Sequence, residues 1–96
     1  MMVVISYDVN TEDYVGQKRL RKVAKVCESK GCRVQNSVFE VLVDPAQLVA
    51  MKGQLAEIID EEKDSVRIYR LGSSWKNRIE TMGREARIEQ DGVMIL

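Results

Sequence analysis

The chain has 96 residues, 45% of them hydrophobic and 31% charged, with no histidine and a formal net charge of zero. That length fills one hydrophobic core and not two, and that composition excludes an intrinsically disordered chain. The neutrality is local bookkeeping only: residues 17–35 carry seven cations against Glu28, a charge of +6, while residues 57–64 carry five carboxylates against Lys63, a charge of −4.

Val3 to Val9 is β-branched and aromatic, with Val3, Ile5, Tyr7 and Val9 on one face and Val4 on the other. This pattern predicts a central strand buried on both sides. After the polar stretch Asn10 to Asp13, the positions Leu20, Val23, Ala24 and Cys27 repeat at helical spacing from about Gly16. A helix with one buried stripe follows, and Lys18, Arg21, Lys22 and Lys25 fall roughly 200° away, on its solvent face. Gly31 is expected to close that helix in the left-handed conformation.

Arg33 to Gln35 and Val38 to Val43 read as two strands of an antiparallel hairpin, turning at Asn36-Ser37. Asp44-Pro45 then supplies an N-cap and a first-turn proline, and Leu48, Met51, Leu55, Ile58 and Ile59 mark the buried face of a second helix. Ser65 to Leu71 returns to strand, with Val66 and Ile68 alternating against Arg67 and Tyr69 until Gly72 breaks it. The order β-α-β-β-α-β is the split βαβ pattern of the ferredoxin-like α/β fold, with a core over residues 1–72. Residues 73–96 form an extension, weakly patterned around Trp75 and Ile79. Its apolar end, Val93-Met94-Ile95-Leu96, is expected to add as a strand to a sheet edge, which in a homodimer belongs to the partner.

No apolar run approaches the ~20 residues that cross a bilayer, and Met1-Met2-Val3-Val4-Ile5 lacks the basic region and cleavage site of a secretory signal. A cytoplasmic protein without a membrane partner is the expectation. Cys27 and Cys32 cannot cage zinc by themselves and read as reduced thiols in or near the core. Without histidine, the commonest general base near neutral pH is missing, so hydrolysis has to lean on carboxylates and metal.

Asp8 ends the first strand in Ser6-Tyr7-Asp8-Val9-Asn10. Taken alone it reads as a loop-capping aspartate, because one carboxylate is a poor site for Mg²⁺. Should a two-fold axis pass near this strand end, two copies of Asp8 would face each other and share one hydrated cation. Glu12 and Asp13 lie in the adjacent loop, as outer contacts to such an ion or as solvated side chains. The run Asp60, Glu61, Glu62, Asp64 reads as the charged end of the second helix and a turn.

The ridge Lys18, Arg19, Arg21, Lys22, Lys25 is either a phosphate-contacting surface or an ordinary solvated helix face. Arg19 and Arg33 are better suited than the lysines to bidentate phosphate geometry. The chain lacks the basic-Gly-aromatic motif of an RNA-recognition sheet, and Phe39 reads as core, so backbone binding without base readout is the expectation.

The segments Val3-Val4-Ile5-Ser6-Tyr7-Asp8-Val9, Lys18-Arg19-Leu20-Arg21-Lys22-Val23 and Arg33-Val34-Gln35-Asn36-Ser37-Val38-Phe39-Glu40 together resemble the small CRISPR-associated protein of spacer acquisition, second in the conventional Cas numbering. The resemblance runs on through Asp44-Pro45, Arg67-Ile68-Tyr69-Arg70-Leu71-Gly72 and the apolar tail, and is strongest to the subtype I-C branch. It implies a ferredoxin-like homodimer whose last strand packs on the neighbouring subunit, with a Mg²⁺ or Mn²⁺ site at the paired Asp8 carboxylates. It further implies a metal-dependent endonuclease acting on RNA or double-stranded DNA, and a place between integrase dimers where the protein braces the DNA being inserted. Tyr7, Arg19, Arg33 and Phe39 match positions linked in that family to activity or nucleic-acid contact. The neutral net charge departs from the family's usual picture.

Three functions follow as expectations. The first is a Mg²⁺-dependent phosphodiesterase at Asp8 that also supports spacer integration. The second is a non-catalytic adaptor that braces duplex DNA for the CRISPR integrase through Lys18, Arg19, Arg21, Lys22 and Arg33. The third is a toxin-like RNA-cleaving dimer on the same fold.

Overall fold

The structure, a computed structural model, describes residues 1–83 together with the backbone of 87–88 and 94–95. Strand β1 spans Met2–Asp8, helix α1 Tyr14–Glu28, strands β2 and β3 Gly31–Gln35 and Val38–Leu42, helix α2 Pro45–Ile58 and strand β4 Ser65–Gly72. A 3₁₀ turn at Trp75–Asn77 follows, then two short strands, β5 at Arg87–Ile88 and β6 at Met94–Ile95. The main sheet runs β2-β3-β1-β4 with every neighbouring pair antiparallel, so each βαβ unit is split by an inserted strand. This is the ferredoxin-like fold that the element order predicts.

Strand register explains the core. Ile5 stands between Phe39 and Ile68, and Tyr7 opposite Val66, so alternation drives Val3, Ile5, Tyr7, Phe39 and Val41 onto one face. There they meet Val23 and Cys27 of α1 and Leu48, Met51 and Leu55 of α2. Both helices cover that face, so the opposite face of β1, with Val4 and Ser6, is half-buried rather than sealed on both sides. Strand β1 ends one residue before Val9, whose side chain still packs into the core. At the other end of the sheet, the Met1 ammonium donates to the Val43 carbonyl at 2.9 Å and Val43 N donates back to Met1 O at 3.0 Å.

Helix α2 starts as its sequence dictates: Asp44 Oδ1 accepts from Gln47 N at 2.7 Å, and the Gln47 side chain accepts from Asp44 N at 2.9 Å. This capping box satisfies two backbone donors that the first turn leaves open. Gly31 departs from expectation. The left-handed glycines among the described residues are Gly72 and Gly83, while Gly31 already belongs to β2. It is needed for space instead, since a Cβ there would lie 2.4 Å from Glu40 O and 2.7 Å from Val41 Cγ2.

Both cysteines are buried and free, on opposite faces of the sheet: Cys27 joins the core, whereas Cys32 pairs with Glu40 on the other side. Burial pushes the Cys27 thiol up to about 11, Arg33 pulling it slightly down, and burial likewise raises Cys32. Neither is a thiolate near neutral pH. Ellman's reagent should therefore react with the native protein at least about a hundredfold more slowly than with the urea-unfolded chain, a fast native phase being the contrary result.

Strand β6 pairs antiparallel with β5, Arg87 opposite Ile95, and β5 lies beside β2. The apolar tail holds a short strand at Met94–Ile95 that pairs with β5 of its own chain and not with an edge of the four-stranded sheet, while Val93 and Leu96 lie outside the described residues.

Candidate nucleic-acid interface and metal site

Helix α1 begins where Asp13 caps it, its carboxylate accepting from Gly16 N at 2.7 Å. From there the turn of the helix separates the basic side chains. Lys18, Arg21, Lys22 and Lys25 are all exposed, as their spacing predicts. Lys18 is steadied by the ring of Tyr14, one turn earlier, with its ammonium 5.6 Å from the centroid.

These four side chains share one open groove of about 440 Å³ with Ala24, Glu28 and Arg33. Arg33 comes from β2, one of the two edge strands of the sheet, so the groove runs between the outer flank of α1 and that edge. Five cations face one carboxylate there, a local charge of +4 on a chain whose total is zero. Such a concentration of one sign focuses the field on approaching anions.

The groove has a rigid floor. The Arg33 guanidinium sits 5.1 Å from the centroid of the fully buried Phe39 ring. Phe39 in turn stacks on Tyr7, with centroids 6.1 Å apart and planes 23° from parallel. Burial raises the Tyr7 phenol, against a smaller lowering by Arg33, and the hydroxyl donates weakly to Asn36 O at 3.5 Å. Tyr7 and Phe39 therefore support Arg33 from beneath. Phe39 is not available as a base-stacking platform.

Arg19 does something else. Its Nε donates to Asp64 Oδ2 at 2.7 Å and one terminal nitrogen reaches Asp64 Oδ1 and Asn10 O, both at 3.4 Å. The Arg19 side chain is 13% exposed and that of Asp64 is fully buried. Asp64 also accepts from Asn10 N at 3.0 Å and from Asp60 N at 2.9 Å. Burial alone would raise its pKa, but the hydrogen bonds from Arg19, Asp60 and Asn10 and the Arg19 charge outweigh that and hold the carboxyl below its usual range. This knot ties the loop after β1, helix α1 and the turn before β4 together. Arg19 thus leaves the basic ridge, and Asp64 leaves the solvated acidic run in which its sequence neighbours Glu61 and Glu62 remain. The signal was present: Arg19 precedes Val23 by four residues and lies roughly 40° from it around the helix, at the border of the buried stripe.

Asp8 is exposed at the end of β1, opposite Ser65 of β4, and alternation puts it on the same face as Val4 and Ser6. The cationic groove lies on the helical side of the sheet, so the two sets of residues are not one site. Within a single chain Asp8 offers one oxygen-donor group, and no three carboxylates or thiols converge among the described residues. The donor type fits a hard, largely hydrated cation, and the donor number within one chain falls short of a metal site.

An antiparallel sheet of order β2-β3-β1-β4 with α1 and α2 packed on one face defines a small ferredoxin-like α/β protein, here with a strongly basic groove beside β2. The family model described as CRISPR associated protein Cas2 matches residues 1–79, and the chain belongs to that family. It is 53% identical over 95 residues to a Halalkalibacterium halodurans protein named CRISPR-associated endonuclease Cas2, covering 99% of each. It is 49% identical to a Nitratidesulfovibrio vulgaris protein named CRISPR-associated endoribonuclease Cas2, over 100% of this chain and 94% of the other. Among solved structures, Streptococcus pyogenes Cas2 superposes with a TM-score of 0.76 at 58% identity, over 86% of this chain and 100% of that one. A hypothetical protein of Thermus thermophilus superposes at 0.72 with 27% identity, over 88% and 92%. None of the described helices is long and apolar enough to cross a membrane.

Proposed function

We propose that this chain is a cytoplasmic CRISPR-adaptation subunit, of the subtype I-C kind, that grips a nucleic-acid duplex by its phosphates and supports spacer integration beside the CRISPR integrase. The observation that carries this reading is the groove between α1 and β2, where Lys18, Arg21, Lys22, Lys25 and Arg33 gather on a chain with no net charge. Point charges on flexible stems suit phosphates rather than base edges, and the buried Phe39 leaves no stacking partner at that position. The subunit acts as a homodimer, residues 73–96 serving as the arm that reaches the partner. The half-buried second sheet face, with Val4 and Ser6, supports that assembly.

The test is reconstitution: the chain should co-purify with an integrase, and insertion of a short duplex should fail with Lys22→Glu plus Lys25→Glu. Normal insertion by that variant would overturn the groove reading. Charge reversal at Arg19 is unsuitable here, because it would test folding.

A second activity is favoured by the position of Asp8. The carboxylate is exposed at a strand end on the face proposed to meet a second copy, and the similar proteins named above bear the names endonuclease and endoribonuclease. Paired Asp8 side chains would hold one Mg²⁺ or Mn²⁺, which when bound polarises a phosphoryl oxygen and acidifies water. Asp8 would contribute the anionic ligand there. Asp8→Ala should lower Mg²⁺-dependent cleavage of DNA or RNA by at least about a hundredfold while the dimer persists in sedimentation. Undiminished cleavage by the rigorously purified variant would exclude this activity. Growth arrest on expression without CRISPR partners, lost in Asp8→Ala, would instead mark a toxin-like RNA-cleaving dimer.

A further inference from the structure

The cationic groove contains its own competing anion. Glu28 is the single carboxylate among its lining side chains, and its Oε1 accepts from Arg33 Nη2 at 2.9 Å. Glu28 is also the last residue of α1, where the negative end of the helix dipole disfavours a carboxylate. Helix stability does not explain it there.

The ion pair it forms is built to open. The Arg33 and Glu28 side chains are 44% and 54% exposed, and pairs this wet contribute little to stability. Arg33 keeps its place without Glu28, because the Phe39 ring lies under the guanidinium. The contrast with Arg19 and Asp64, at 13% and 0%, is one of chemistry as well as degree: that pair cannot exchange partners without burying a lone charge.

We infer that Glu28 occupies Arg33 as an internal counter-anion in the free protein, and that a backbone phosphate of the bound duplex displaces it. The inference rests on the groove reading proposed above and adds the device that sets its affinity. When Arg33 turns from Glu28 to a phosphate, the DNA releases its condensed counterion and the freed carboxylate returns to water. Opening the Glu28 pair costs affinity, while the number of phosphates neutralised, and with it the salt slope, stays the same.

Fluorescence anisotropy of the full chain with a labelled 30-base-pair duplex, from low to moderate NaCl, tests this. Glu28→Gln should bind about three- to tenfold more tightly than wild type, with a log–log salt slope essentially unchanged because the same phosphates are neutralised in both. In an Arg33→Gln background the gain should vanish, since the exchange has lost its pivot. A gain that survives unchanged in that background shows Glu28 acting as a diffuse charge and overturns the inference. Wild-type affinity in Glu28→Gln, with Lys22→Glu plus Lys25→Glu still weakening binding, leaves the groove standing and removes the exchange. Wild-type affinity in the lysine double variant removes both.

Discussion

Replacing Asp64 with alanine is expected to destabilise the domain by about 3–5 kcal/mol, a large part of what a chain of this size has in hand. Four hydrogen bonds converge on this carboxylate, from Arg19 twice and from the backbone of Asn10 and Asp60. Truncation leaves the Arg19 guanidinium and two amide donors facing a void. Even a matched apolar replacement of Arg19 and Asp64 together would recover only part of the loss, because the Asn10 and Asp60 N–H groups keep no acceptor. Urea denaturation followed by circular dichroism measures the effect, and a loss below about 1 kcal/mol would contradict it. Should Asp64→Ala fail to fold, Asp64→Asn keeps an acceptor and allows the comparison.

The same knot sets an acid limit. Because the folded Asp64 carboxyl is held below its unfolded value, its contribution is fully present above about pH 4 and is lost as pH falls through the lower, folded value. In Asp64→Asn that part of the acid slope should flatten.

Reversing Lys22 and Lys25 to glutamate should weaken binding of a 30-base-pair duplex by about a hundredfold at 50 mM salt and reduce the salt slope by about two or more. Both side chains are exposed on α1, so stability should change by no more than about 0.5 kcal/mol. Lys52→Glu plus Lys63→Glu, both exposed and outside the groove, controls for the same change in net charge. Affinity within twofold of wild type for the double reversal would mean that the cations of α1 are only a solvated face. Together the Asp64 and lysine variants separate two classes of basic residue that adjoin in sequence: Arg19 holds the fold, and its neighbours meet solvent.

Local physical chemistry made the architecture legible. Alternation in Val3 to Val9, the helical stripe Leu20, Val23 and Cys27, and the Asp44-Pro45 start each report a nearest-neighbour preference that the fold leaves in place, whereas Ala24, expected in that stripe, lines the groove instead. Those signals sufficed for the β-α-β-β-α-β order and for the outward lysines, because both depend on periodicity within a single element. Gly31 was misread because tight contact with the Glu40 and Val41 segment, a strand away, leaves the same mark in sequence as a helix terminus.

The site residues divide along the same line. Lys22 and Lys25 are exposed wherever the helix goes, so the sequence alone determined their part. Whether Arg19 reaches solvent, whether Asp64 leaves its acidic neighbours, and whether Arg33 rests on Phe39 beside Glu28 depend on which distant segments meet. Only the tertiary structure decided those. A charged side chain takes its partner from across the fold, and electrostatic strength depends on burial that no single element sets.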